Sequence, residues 1–149
     1  MMITKHILSV SILALAVAAS QALASNTAGV PAKDPVYDPA TVVKVPGIVA
    51  SVKRVPAGNL LAGVHLLVKS NTDTFDVYLG PSDFLKFLKV SFPVGDQIEV
   101  TGSKVKLGSA DVILTRKADD GYTLVTLRDA NGAPVWQNWS KEVYTTLLR

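Results

Sequence analysis

The chain has 149 residues, 48% hydrophobic and 18% charged, with 10 Gly, 8 Pro, no Cys and a formal net charge of +3. That length suits one domain and excludes two full-sized catalytic ones, because a single core commonly spans about 100–200 residues. The mixture is too apolar for a disordered chain and too poor in Cys for a disulfide scaffold.

Residues 1–24 read as a secretory signal peptide. Lys5 makes a positive start, Ile7 to Ala19 form an unbroken apolar and small run, and Ala22-Leu23-Ala24 is an A-x-A cleavage site. The run is shorter than the ~20 residues that span a bilayer, and no Cys follows for a lipid anchor. The expected product is periplasmic or secreted after cleavage near Ala24, with no transmembrane segment. Cleavage removes Lys5 and His6, which lowers the net charge by one and leaves His65 as the single histidine. The remaining surplus is too small for the basic stripe of a nucleic-acid binder, so nucleic acid is not an expected partner.

Residues 25–41 hold Asn26, Gly29, Pro31, Pro35 and Pro39 with few apolar side chains, and read as a flexible lead-in. The folded domain is expected over residues 42–136. Val42–Val55 is a Val-rich strand broken by Pro46-Gly47, the signature of an edge start or bulge. Pro56-Ala57-Gly58-Asn59 is a turn, Leu60–Lys69 a second strand, Asn71-Thr72-Asp73 a second turn and Phe75–Leu79 a third strand. Gly80-Pro81-Ser82-Asp83 opens a short helix, with Ser82 or Asp83 as the side chain that caps it. Phe84, Phe87 and Leu88 then recur at i, i+3 and i+4 as its apolar face.

Pro93-Val94-Gly95-Asp96 returns the chain to strands at Gln97–Lys106, Asp111–Ala118 and Tyr122–Asp129, with Asp119-Asp120-Gly121 as a hairpin turn. Residues 137–149 form a C-terminal tail that packs on the domain or extends from it. Three strands, a helix and two or three strands give a mainly β fold. The expectation is a five- to six-stranded OB-like Greek-key barrel with one short helix between strands three and four.

Gly47-Ile48-Val49, Phe75-Asp76-Val77-Tyr78-Leu79-Gly80-Pro81, Gly95-Asp96-Gln97-Ile98-Glu99-Val100-Thr101-Gly102-Ser103 and Leu127 to Trp136 resemble a group of small exported bacterial OB-fold proteins. Gly95-Asp96 and Val100-Thr101-Gly102 are more distantly similar to periplasmic OB-fold proteins linked to stress tolerance. Those carry acidic residues where this chain has Leu79-Gly80-Pro81, so their acidic site does not carry over. The resemblance implies an exported OB-fold protein and transfers no catalytic residue.

Zinc or copper sites of Cys and His cannot form within one cleaved chain, which would have no Cys and one His, and neither a metal nor a cofactor is expected. No G-x-S-x-G elbow and no phosphate-cradling G-x-x-x-x-G-K-[ST] loop occurs, and an enzyme is not the expected reading. OB barrels bind through the face of strands two and three and the neighbouring loops. By that analogy His65, Lys69, Tyr78 and Asn59 are the candidate ligand-binding residues. A lone strand histidine is usually a hydrogen-bonded structural residue, and for His65 a ligand or proton-switch role is the alternative to that reading. Trp136, Trp139 and Tyr144 form a second lead, either as aromatics packed over an open end of the barrel or as a partner-binding anchor. The expected function is a non-enzymatic module docking to another exported or membrane-anchored protein. The alternative is a small-ligand or oligosaccharide binder.

Overall fold

In the computed structural model the described residues are 32–140. The signal-peptide reading, the first part of the lead-in and Tyr144 fall outside them.

Six strands and one helix follow in chain order: β1 (Val42–Val55), β2 (Gly63–Lys69), β3 (Thr74–Gly80), α1 (Ser82–Leu88), β4 (Gln97–Leu107), β5 (Ala110–Asp119) and β6 (Leu124–Thr126). They form one sheet in the order β3-β2-β1-β4-β5-β6. Neighbours in that order run antiparallel. A further, parallel pairing sets Asp76, Val77 and Tyr78 of β3 against Val112, Ile113 and Leu114 of β5. That pairing joins the two ends of a five-strand run into a ring, with β6 appended to β5. The mainly β architecture and the single short helix between the third and fourth strands are therefore as expected.

β1 can serve two partners because it is long. Its first half pairs with β4 from Val42 to Ile48, and its second half with β2 from Ile48 to Val55. Pro46 and Gly47 lie where β1 is paired on one side only, which tolerates a residue without an N–H. The irregularity expected there falls instead between Val49 and Ser51. A second register shift, at Thr101/Gly102 of β4, lets β5 cross closely. An ideal Cβ on Gly102 would lie 2.3 Å from the Leu114 carbonyl oxygen, so only glycine fits without the strands moving apart.

The ring interior is filled by alternate residues of every strand, among them Val49, Leu66, Val68, Val77, Leu79, Val100 and Ile113. Phe84 and Leu85 of α1 pack against them. The apolar face expected on the helix was Phe84, Phe87 and Leu88, but Phe87 and Leu88 are exposed and Leu85 is buried. With only two turns, the helix meets the ring through a narrow stripe. No side chain caps its start, because Pro81 is the capping residue and offers none. The last strand is also shorter than Tyr122–Asp129, since only Leu124–Thr126 reaches β5.

A second apolar cluster lies on the opposite face of the β3–β5 seam. It contains Tyr78, Val112 and Leu114, covered by Tyr37 and Leu61. Tyr37 belongs to the expected lead-in, whose final stretch is tied down. Asp38 closes the 3-10 turn Pro39–Thr41 through Ala40 N–H, and its own N–H donates to Ser103 Oγ at 2.9 Å. The packed body thus begins before Val42.

Candidate interaction surfaces

β2 alternates as a strand should, with Val64, Leu66 and Val68 inward. His65, Leu67 and Lys69 share the outer face, yet only His65 is buried, at 3% exposure. The cover over it comes from two elements. Tyr78 is its cross-strand partner on β3, with ring centroids 5.1 Å apart. The β1–β2 loop folds back on the other side, and His65 Nε2 donates to the Leu61 carbonyl at 2.8 Å while Nδ1 lies 2.7 Å from Asp76 Oδ1.

The loop itself is pinned at each end of this contact. Leu61 takes a left-handed conformation with φ of 48°, unfavourable for a branched side chain. Its N–H donates to Asp34 Oδ1 at 2.7 Å, and Tyr78 Oη donates to the neighbouring Ala62 carbonyl at 3.1 Å. Burial pushes the Tyr78 phenol up to about 12, with Arg128 opposing and Asp34 adding to the shift. His65 and Tyr78 are together, as expected, but their polar atoms are used within the protein. They hold a loop in place.

The other two candidate ligand residues lie elsewhere. Asn59 is exposed in the β1–β2 turn, where its side-chain amide donates to the Pro56 carbonyl at 3.1 Å. Lys69, at the far end of β2, borders a shallow groove with Pro46, Ile48, Glu99, Asp119 and Asp120. Asp120 accepts N–H groups from Thr123 and Tyr122, which hold its carboxyl below the usual range. The groove contains opposite charges but no convergent cluster. No group of His, Asp and Glu able to hold a metal ion occurs among the described residues.

Trp136 and Trp139 pack inward. The Trp136 ring meets Tyr78 edge-on at 6.3 Å, Phe84 at 5.7 Å and the Arg128 guanidinium at 5.1 Å. It also lies against the backbone of Gly80, where an ideal Cβ would come within 2.9 Å of the ring. Gly80, with φ of 154°, therefore gives the strand-to-helix corner both its turn and room for the indole. Trp139 rests on Phe84 and Phe87 of α1 at 5.5 and 5.7 Å. Arg128, missed from sequence, links the pair to the chain: its Nη1 donates to the Gly132 carbonyl at 2.9 Å. Burial lowers the guanidinium's affinity for its proton. A single Arg among turn residues carried no signal of that role.

These features define a small β module with a filled ring, a second packed layer on one seam and its grooves on the exterior. Residues 41–124, more than half of the chain, match the MamS/MamX magnetosome protein family, and the chain belongs to that family. The match runs from the start of β1 to the start of β6 and stops short of Trp136. No curated protein matches the chain. No helix among the described residues is long and apolar enough to cross a membrane.

Proposed function

We propose that this chain is a non-enzymatic, exported binding module with an OB-like Greek-key ring, which docks to another exported or membrane-anchored protein. The observation that carries the reading is the strand arrangement. Five strands in the order β3-β2-β1-β4-β5, closed by a parallel β3–β5 contact with a helix after β3, suit a partly open Greek-key barrel. Such rings present partners with strand faces and edges while the interior stays packed. Membership of a magnetosome protein family is compatible with that reading. The polar atoms of His65 and Tyr78 are already engaged, which argues against a small ligand on that face.

The test is crosslinking in the native host followed by purification of the tagged chain from membrane and soluble fractions. A stoichiometric protein adduct that recurs with two crosslinkers, one amine-reactive and one photo-activated, supports the reading. A monomer throughout refutes it. The groove beside Lys69 favours the second reading, a small-ligand or oligosaccharide binder, and a thermal-shift panel of sugars and anions tests it. A rise in melting temperature that Lys69→Ala abolishes would favour the small ligand.

A further inference from the structure

The double duty of β1 leaves one stretch of backbone with a free side. β1 pairs with β4 only as far as Ile48, and Val49 still exchanges bonds with Gly95 and Asp96. Ala50 sits in the bulge, and from Ser51 to Val55 the strand is bonded to β2 alone. This edge borders a groove of about 130 Å³ whose other wall is Ser82, Leu85 and Lys86 of α1 and the chain at Val90–Pro93. Buried Leu66, Leu79 and Phe92 contribute to the groove's apolar lining. Val52 and Arg54 line it from β1, and Val52 is 42% exposed.

We propose that this edge and groove receive an extended, acidic segment of a partner protein, added as a further strand beside β1. The inference rests on the docking function proposed above and names its surface and the chemistry of its partner. Charge selects the occupant. Among the described residues the groove lining carries Arg54 and Lys86 and no carboxylate, and Lys53 adds a third cation on the opposite face of the edge. Asp83 lies 3.9 Å from Lys86 and both are well exposed, a geometry that leaves the cation free to pair elsewhere.

A second copy of this chain is a poor occupant. Antiparallel self-pairing centred on Lys53-Arg54 would set like charges beside one another, which destabilises a strand pair. Lysine on an edge commonly blunts such self-association. Blunting alone does not require an open apolar groove beside the edge. An incoming strand answers both features: its backbone pairs with Ser51–Val55, and on the face turned to the groove one apolar side chain enters it while acids two residues to either side meet Arg54 and Lys86.

The test uses the full chain and a synthetic probe, the capped peptide Thr-Asp-Thr-Val-Thr-Asp-Thr, whose two acids and one valine share a face, with two controls: a lysine-for-acid version and a version with a central proline. Amide exchange and fluorescence anisotropy are the readouts. The expected result is slowed exchange confined to Ser51–Val55 and the facing groove. Affinity should fall at least tenfold for the paired change Arg54→Glu and Lys86→Glu, and for both control peptides. The variant's melting temperature should stay within a few degrees of the parent's, because both side chains are exposed. No binding, unaltered binding by the variant, or protection elsewhere overturns the proposal. A photo-crosslinker replacing Val52, compared with one replacing the fully exposed Tyr122, separates the two readings in the host. Partner capture from Tyr122 alone overturns the edge site and leaves the docking function standing. Absence of any adduct by either route removes both.

Discussion

Replacing His65 with alanine tests whether the β1–β2 loop is clamped by that side chain. Two hydrogen bonds disappear. The contact with Asp76 involves a charged partner, a class worth about 1.5–3 kcal/mol, with the lower end appropriate here because Asp76 is one-third exposed. The Leu61 carbonyl loses its imidazole donor in a buried site, at a cost of about 1–3 kcal/mol. Since the two losses share one ring, about 3 kcal/mol in total is a reasonable expectation. For a domain of this size each kcal/mol moves the midpoint by roughly 4–8 °C, so the fall should be about 12–24 °C. The left-handed Leu61 also loses one of the contacts that hold it there, and its amide, now donating to Asp34, should exchange faster. Differential scanning calorimetry and amide exchange measure both. A variant that melts within about 4 °C of the parent, with Leu61 still protected, would show that the histidine is not the clamp.

Trp136→Ala removes an indole wedged among Tyr78, Phe84, Arg128 and Gly80, and should cost about 3 kcal/mol by denaturant titration; a loss below about 1 kcal/mol would mark the indole as a surface anchor instead. Gly102→Ala forces a methyl group against the Leu114 carbonyl and should destabilise by about 2 kcal/mol, seen as an earlier midpoint with an unchanged slope. Asp120 has a folded-state carboxyl held below its ordinary range by the N–H groups of Thr123 and Tyr122. Its contribution is present above the unfolded value and lost as pH falls through the lower folded one. Asp120→Asn should therefore melt below the parent at neutral pH and converge with it in acid, in melts run from pH 7 to 2.

Local signals carried much of this architecture. The Val-rich run of β1, the short β2–β3 turn, the Gly80-Pro81 corner and the Asp119-Asp120-Gly121 hairpin each depend on neighbours in sequence, and each lies where expected. The features that sequence concealed are long-range. Nothing in Asp34-Pro35-Val36-Tyr37 distinguishes a loose Pro-rich lead from one whose tyrosine covers a sheet, because the surface it covers is made by Tyr78, Val112 and Leu114, far along the chain. The run Val112-Ile113-Leu114-Thr115, buried throughout, was the available sign that β5 has packing on both faces. It reads as a continuous apolar strand rather than an alternating one. For His65 the alternation of β2 gave the correct face, and the ordinary reading of a hydrogen-bonded strand histidine agrees with its contacts, but its burial was not legible, since the loop that buries it is held by Asp34 and Tyr78.

The distribution of packing also limits where a partner can bind. The ring interior is closed by aliphatic side chains, and the β3–β5 seam is covered by Tyr37, Leu61 and Trp136. A sheet in which every strand had both sides occupied would offer a partner only side chains. This one is different because β1 is shared between β2 and β4 in two halves that overlap only near Ile48. Each half therefore has a side that its partner strand does not reach. The first half opens beside Lys69 and the Asp119–Gly121 turn, where acids and a lysine alternate; the second opens beside α1, where the charge is of one sign and the floor is apolar. Mixed charge on a shallow surface gives little discrimination, whereas cations above an apolar floor favour an occupant with both acidic and apolar side chains. The same strand length that closes the ring thus creates the edge at which a further strand can join it.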